Sequence, residues 1–476
     1  MPLPPSSLLC RLNQGATILP RRGNRFPLSP GERAGVRVSV KQIIPRAGTR
    51  IEARCYSCLT QQVHGEGERA TFLSPRYFQV RVMKAILSFL LLGCLALVAH
   101  ASEHWQSLVT SNVLELKILG PVKTNAPLPV IIYLENLATP RTGTESDSAI
   151  LKDFHAAGYL VATLDYAKNP RACTPFLNRD LGKLRDDLRA KKLLASFALD
   201  PAHIFIVPSG CRLQRDVLYY ADTNRPLSLD IIYPSQPKQP VGALIEFSCD
   251  NVARMGNTSL SICSDTILDA AATEGFAVAM ADHPVAPPYK GLDAMPDCAW
   301  RIKAAVRTLR AEGSKLGLSG KIAPIGFSRG SGMALMLVTS EGKTEFEGHG
   351  ENPGVSSAVQ GAVVMSGRFT YLDLLPDDHM IPRYEKVWGT YTNNFEIWKQ
   401  QGALDYLTNA TVPLFLSINC SEAPDALHQM TVLRQRLAGL GSDDTFMMDR
   451  EPRGHKVTLD PQILDAMNAY LNHQLN

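Results

Sequence analysis

An α/β fold, a mostly parallel sheet flanked by helices, is predicted for this 476-residue chain by three observations. Apolar runs of strand length alternate with helix-period segments from Pro129 to the end. The alternation occurs twice, with a constant offset between the copies. One junction, IGFSRG at 325–330, sets Gly-x-Ser-x-Gly between a short apolar run and a run of helix formers. A composition of 45% hydrophobic and 20% charged residues is that of a globular protein and excludes disordered, collagenous and polytopic membrane classes. The formal charge of +4 is small, and much of the excess arginine lies before residue 82, so no nucleic-acid partner is implied.

Residues 83–101, MKAILSFLLLGCLALVAHA, have the three parts of an export signal: Lys84, an apolar core, and Ala99-His100-Ala101 for cleavage. Met83 is therefore read as the start, and residues 1–82 as translated upstream sequence, expected to be disordered and set aside from fold reasoning. A secreted or periplasmic protein follows, without stable membrane insertion after cleavage, since the apolar run falls short of a full span. Leu91-Leu92-Gly93-Cys94 resembles a lipoprotein box, but LALVA continues the apolar run past the cysteine. Cys55-x-x-Cys58 has redox or metal half-site spacing and falls in the segment set aside. Cysteines 173, 211, 249, 263, 298 and 420 permit disulfides in an exported chain without fixing their pairing.

The elements follow in order. VIIYLE is a buried strand, SAILKDFHAAG a helix, YLVATLDY a strand, LGKLRDDLRAKKLLASF a charged amphipathic helix and HIFIVPSGCR a strand. RDVLYYADTNRPLSLDIIYPS reads as an antiparallel hairpin around Asp222-Thr223-Asn224. The first pattern then returns as ALIEFS, SDTILDAAATEG, FAVAMADHP, CAWRIKAAVRTLRAEGSKLG and KIAPIG. Ile150 lies against Ile267, Gly158 against Gly275, Val161 against Val278 and Asp165 against Asp282, and the same shift carries Cys211 to Ser328. AVQGAVVMSG, VPLFLSIN and DTFMMDR supply further strands, separated by an irregular stretch from Arg368 to Gln401 and a helix HQMTVLRQRLAGLG, before a last helix. These elements predict a non-catalytic α/β half-domain at 102–212 and a catalytic domain at 213–476 built on an eight-stranded, mostly parallel sheet.

The chemistry centres on Ser328. A serine on a tight strand-to-helix turn projects its hydroxyl above the sheet, and Gly326 and Gly330 let the backbone turn without clash. The N–H of Arg329, at the helix start, points toward a developing oxyanion. A hydroxyl needs a base, and the base an orienting carboxylate. VPLFLSINCSEAPD ends a buried strand and offers Glu422, with Asp425 as the alternative, and His455 in DREPRGHKV follows the last strand. His283 follows an earlier strand and reads as a pocket-lining or loop-capping residue, while His349, His379 and His428 have no partner at suggestive spacing. No two histidines or cysteines of the mature chain stand at metal-ligand spacing, so neither metal nor other cofactor is expected. Tyr371, Tyr384, Tyr391, Trp388 and Trp398 form either a substrate-binding wall or the small core of their own insertion.

In these motifs residues 213–476 resemble the α/β-hydrolase superfamily, in its secreted esterase and prolyl-oligopeptidase-like branches. RPLSLDIIYPSQP, the span IKAAVRTLRAEGSKLGLSGKIAPIGFSRGSGMAL and the VPLFLSIN strand are similar to carbohydrate-esterase and feruloyl-esterase-like members. The resemblance implies a serine hydrolase acting through Ser328, His455 and Glu422 or Asp425 on a small-molecule or polysaccharide ester, acetyl or feruloyl esters among them. It departs at the first oxyanion loop, where EFSCDN stands in place of His-Gly-Gly-Gly and leaves the second donor to the N–H of Cys249 or Asp250. The Cys249 side chain is expected in a disulfide. A peptidase would use the same residues, and a catalytically silent binding protein is the reading of a different class.

Overall fold

Two sheets organise the chain in the computed structural model, which describes residues 106–110, 114–119, 126–135, 144–165, 197–221, 226–247, 274–282, 295–409, 411–442, 444–456 and 460–476. All of these belong to one compact unit, residues 62–476. The expectations for residues 1–82, the export segment 83–101, the helix after Asp165 and the turn at 222–224 lie outside the described residues.

The first sheet comprises β1 (Gln106–Thr110), β2 (Leu114–Leu119), β3 (Leu128–Glu135), β4 (Leu160–Asp165) and β5 (Leu199–Pro208), in the order β1-β2-β4-β3-β5. The second comprises β6 (Cys211–Tyr220), β7 (Leu227–Pro234), β8 (Val241–Phe247), β9 (Ala277–Ala281), β10 (Leu318–Phe327), β11 (Ala362–Met365), β12 (Leu414–Asn419) and β13 (Asp444–Asp449), in the order β13-β12-β11-β10-β8-β9-β7-β6. From β9 to β13 the neighbours run parallel, while β6 and β7 pair antiparallel. This is the expected eight-stranded, mostly parallel sheet. Its central strands read as continuous apolar runs because helices cover both faces; β8 and β11 are buried at every position.

The repeat seen in the sequence is present in the topology. Neighbours β1/β2 and β2/β4 are antiparallel and β4/β3 and β3/β5 parallel, the directions found for β6/β7, β7/β9, β9/β8 and β8/β10. Register fixes the correspondence more finely than the sequence offset. Val130 pairs with Leu160 and with Ile204, and Ala243 pairs with Ala277 and with Ile322. Counting forward from Ile204 and Ile322 brings Gly210, not Cys211, to the place of Ser328. Both residues have positive φ, 71° and 57°. Cys211 instead opens β6 as a buried free thiol whose burial pushes its pKa up to about 12, which leaves it protonated and inert at neutral pH.

Among the described residues the helices longer than one turn are α1 (Asp147–Ala156), α2 (Asp297–Lys315), α3 (Arg329–Thr339), α4 (Ile381–Trp388), α5 (Phe395–Gln401), α6 (Pro424–Leu440) and α7 (Pro461–Leu475). α2 and α3 bury Ile302, Val306, Leu309, Met333 and Leu337 on one face of the large sheet. α7 buries Ile463, Met467 and Leu471 on the other, in a core that also takes Ile131, Tyr133, Phe154 and Phe205 from the first sheet and α1. A polar clamp joins the same parts. Arg212 in β6 donates to Glu145 through Nε at 2.7 Å and to Asp153 at 2.7 Å, and Ser235 donates to the same Glu145 carboxylate.

The hydrogen bonds from Arg212 and Ser235 hold the Glu145 carboxyl down from 4.5 to about 2. A carboxylate depressed in the folded state contributes stability above its unfolded pKa, and that contribution is lost as pH falls from about 4.5 toward 2. Glu145→Gln is therefore expected to lower the urea midpoint at pH 7 and to leave the variant and wild type converging near pH 2. A gap that stays constant across that range would remove Glu145 from the acid sensitivity.

Candidate active site

Ser328 stands alone between β10 and α3, with φ 57° and ψ −119°. A non-glycine residue in this region stores strain of order 1–3 kcal/mol and persists only where its surroundings enforce it. Here the enforcement is visible. The Ser328 N–H donates to the carbonyls of Ser366 at 2.7 Å and Met365 at 3.1 Å, and the Ser331 hydroxyl donates to the Ser328 carbonyl at 2.5 Å. A Cβ on Gly326 would meet the Gly330 carbonyl oxygen at 2.1 Å, and one on Gly330 would meet the Phe247 carbonyl oxygen at 2.7 Å. The turn therefore excludes side chains at both flanking positions.

The loops after β12 and β13 bring two further groups to the serine. His455 Nε2 lies 3.0 Å from Ser328 Oγ, and His455 Nδ1 lies 2.9 Å from Glu422 Oε2. The His455 ring is backed by Phe327, with centroids 4.7 Å apart. Glu422 is buried, and burial works to raise its pKa. Hydrogen bonds from His455, from the Ser366 hydroxyl and from the Ala423 N–H outweigh that and hold it below the usual carboxylate range.

Asn419, the last residue of β12, ties the acid loop to the histidine loop. Its amide donates to the Glu451 carbonyl at 2.7 Å, and its Oδ1 accepts from the N–H groups of Ser421 and Arg453. Gly454 N–H then donates to Ser421 Oγ at 2.8 Å.

Asp425, the alternative acid, is elsewhere. It lies in the first turn of α6 and pairs with Arg368, whose guanidinium also grips Asp378. Arg368 thus decides between two carboxylates three residues apart by occupying one of them. Asp378, His379 and Asp425 bring their potential ligand atoms within 4.8 Å of one another, but the cation already on the two carboxylates is Arg368. His428 pairs with Asp373 at 2.9 Å, and His349 packs edge-on to Trp300. Cys249, Asp250 and His283 lie outside the described residues. The described end of β8, Phe247, abuts the elbow through its carbonyl. Cys420 is an exposed free thiol whose Sγ donates to the Arg450 carbonyl.

A cavity of about 340 Å³ opens over the serine, and Tyr371, Tyr384, Arg368, His379, Met295 and Met333 are among the residues that line it. The two readings of the aromatic insertion are both partly met. Tyr371 and Tyr384 face the cavity, while Trp388 and Trp398 are buried behind them, Tyr384 stacking on Trp388 with centroids 4.9 Å apart. Tyr391 packs edge-on against Trp398 and is more exposed.

The sequence reading missed Ser366, Arg368 and Asn419. A usable sign was available for the first: Ser366-Gly367 follows the buried strand next to the elbow strand, where the carboxyl ends of parallel strands gather a site.

Residues 229–425 match the BD-FAE family, an α/β-hydrolase family. No curated protein matches the chain. Among solved structures, a truncated carbohydrate esterase from gut microbiota is similar at 19% identity and a TM-score of 0.47, over 55% of this chain and 96% of its own. A bifunctional GH43-CE protein of Bacteroides eggerthii is similar at 21% identity and a TM-score of 0.46, over 55% of this chain and 35% of its own. An acetyl ester-xyloside bifunctional hydrolase of Caldicellulosiruptor lactoaceticus is similar at 13% identity and a TM-score of 0.44, over 56% of this chain and 97% of its own.

Because glycine adopts positive φ without strain, Ser328→Gly is expected to stabilise the fold by about 1 kcal/mol over Ser328→Ala, which lacks the hydroxyl but keeps the strained Cβ. Paired urea denaturation curves give the difference. Equal midpoints would mean that the elbow is relaxed.

Proposed function

We propose that the chain is a carboxylic ester hydrolase of the α/β-hydrolase fold in which Ser328 is the nucleophile, His455 the general base and acid, and Glu422 the group that orients the imidazole. The observation that carries this is the unbroken run of contacts from Ser328 Oγ through both ring nitrogens of His455 to Glu422, at 3.0 and 2.9 Å. Ser328 Oγ attacks the ester carbonyl while His455 Nε2 takes its proton. The imidazolium then protonates the departing alcohol oxygen, and a water activated by the same nitrogen releases the acyl group. Glu422 stays ionised, holding the proton of His455 on Nδ1 so that Nε2 is free to accept. The N–H of Arg329, first residue of α3, supplies one oxyanion donor, and the backbone after Phe247, at Cys249 or Asp250, the second.

The substrate is an acetyl or feruloyl ester on a polysaccharide. A cavity with two tyrosine rings, a guanidinium and carboxylates on its walls suits a ligand with flat apolar faces and many hydroxyls. The protein acts outside the cytoplasm, the role of residues 83–101 being export. Among the described residues no helix is long and apolar enough to cross a membrane. The half-domain at 102–212 is non-catalytic, with Gly210 where the nucleophile would stand, and serves as a support for the large sheet.

Fluorophosphonate labelling and p-nitrophenyl acetate turnover by the whole protein test this directly. Both should be present in the wild type and absent in Ser328→Ala. Glu422→Gln should lower kcat by about 10³–10⁴, whereas Asp425→Asn, which leaves the partner of His455 in place, should change kcat far less. The reverse ranking would transfer the orienting role to Asp425.

A further inference from the structure

Ser366 touches both ends of the proposed catalytic array. It is the residue after β11, and it is almost fully buried. Its φ of 40° lies in the left-handed region, as that of Ser328 does. Its hydroxyl donates to Glu422 Oε2 at 2.7 Å, the same oxygen that faces His455 Nδ1, and lies 3.5 Å from that nitrogen. Its carbonyl accepts the Ser328 N–H at 2.7 Å, and its own N–H donates to the Ser417 carbonyl in β12 at 3.1 Å. The next residue must be glycine, because a Cβ on Gly367 would fall 1.9 Å from Ser331 Oγ and 2.7 Å from the Ser328 carbonyl oxygen.

We propose that Ser366 is a positioning residue for the catalytic array, setting the carboxylate of Glu422 and the backbone of Ser328 relative to each other. The proposal rests on the roles given above to Ser328, His455 and Glu422. A carboxylate that orients an imidazole must hold its plane, and a single hydrogen bond leaves it free to rotate. Glu422 has Oε1 fixed by the Ala423 N–H and Oε2 by the Ser366 hydroxyl, so the lone pair offered to His455 is aimed by donors on either side. The same residue reaches the elbow through its main chain. The distance between acid and nucleophile is thereby set by one residue rather than by two independent loops.

The left-handed backbone at 366 makes the test clean. Ser366→Gly removes the hydroxyl and leaves the carbonyl that holds Ser328, at a φ that glycine takes without strain. The expected result for the whole protein is a melting temperature within a few degrees of wild type, KM changed by less than about twofold, and kcat lowered by up to about 100-fold. In a Glu422→Gln background the same substitution should have little further effect, since the group it positions is already lost. An active wild type with Ser366→Gly at wild-type kcat overturns the proposal. So does a loss of activity that is fully additive with Glu422→Gln, or one that tracks a lowered melting temperature, since either is what a purely structural serine would give. A wild type that neither labels with fluorophosphonate nor turns over ester overturns instead the roles on which the proposal rests.

Discussion

The left-handed turn at Ser328 is the constraint around which the rest of the large sheet is arranged. A residue with a side chain can stand at that φ only if the space on every side is empty of Cβ atoms, and the chain meets this with glycine at 326, 330 and 367. The first clears the strand from the start of its own helix, and the second clears that helix from β8. The third clears the turn from the neighbouring strand, β11. The requirement is therefore not local, since it needs β8, β10 and β11 side by side, so that the carbonyls of Phe247 and Ser366 both reach the elbow. Parallel pairing through apolar runs buried on both faces supplies that alignment.

Electrostatics then sorts the acidic groups. Two carboxylates, Glu422 and Asp425, leave β12 within one turn of chain, and either could have faced His455. Arg368 removes Asp425 from competition by ion pairing it together with Asp378. Glu422, without a cationic side chain of its own, gathers donors instead: a backbone N–H, a serine hydroxyl and the imidazole. These keep a buried carboxyl ionised where burial alone would favour the neutral acid. The loop that carries His455 has little regular structure, so its placement depends on hydrogen bonds between its backbone and the side chains of Asn419 and Ser421: the Asn419 amide donates to the Glu451 carbonyl, and the Arg453 and Gly454 N–H groups donate to Asn419 Oδ1 and Ser421 Oγ.

What could be read from the sequence was whatever depends on short spacing. Apolar runs gave the strands, their alternation with helical segments gave the parallel sheet, and the order of elbow, acid loop and histidine loop picked out residues that the fold brings within hydrogen-bond distance. What could not be read depends on partners far apart in the chain. Nothing near Glu422 or Asp425 reveals that Arg368, more than fifty residues earlier, takes one and leaves the other. Ser366 is ordinary in its local sequence and becomes notable only when β11 is laid beside β10 and β12 beside β11. The offset between the repeats likewise pointed to Cys211, because sequence comparison cannot see the one-residue adjustment that strand register makes between β3 and β5.

That adjustment leaves Gly210 as an unarmed counterpart of Ser328. Its N–H is taken up by the Asp147 carboxylate and the Tyr133 phenol, and the chain continues into an antiparallel strand rather than a helix. Yet the backbone takes a positive φ at both places. One molecule thus takes a positive-φ step at both strand ends, once with a hydroxyl and once with none. The strain at a nucleophile of this kind belongs to the geometry by which a central strand leaves its sheet. Chemistry inherits the bend; it does not impose it. A designer seeking a reactive serine in such a scaffold would begin by looking for a glycine already there.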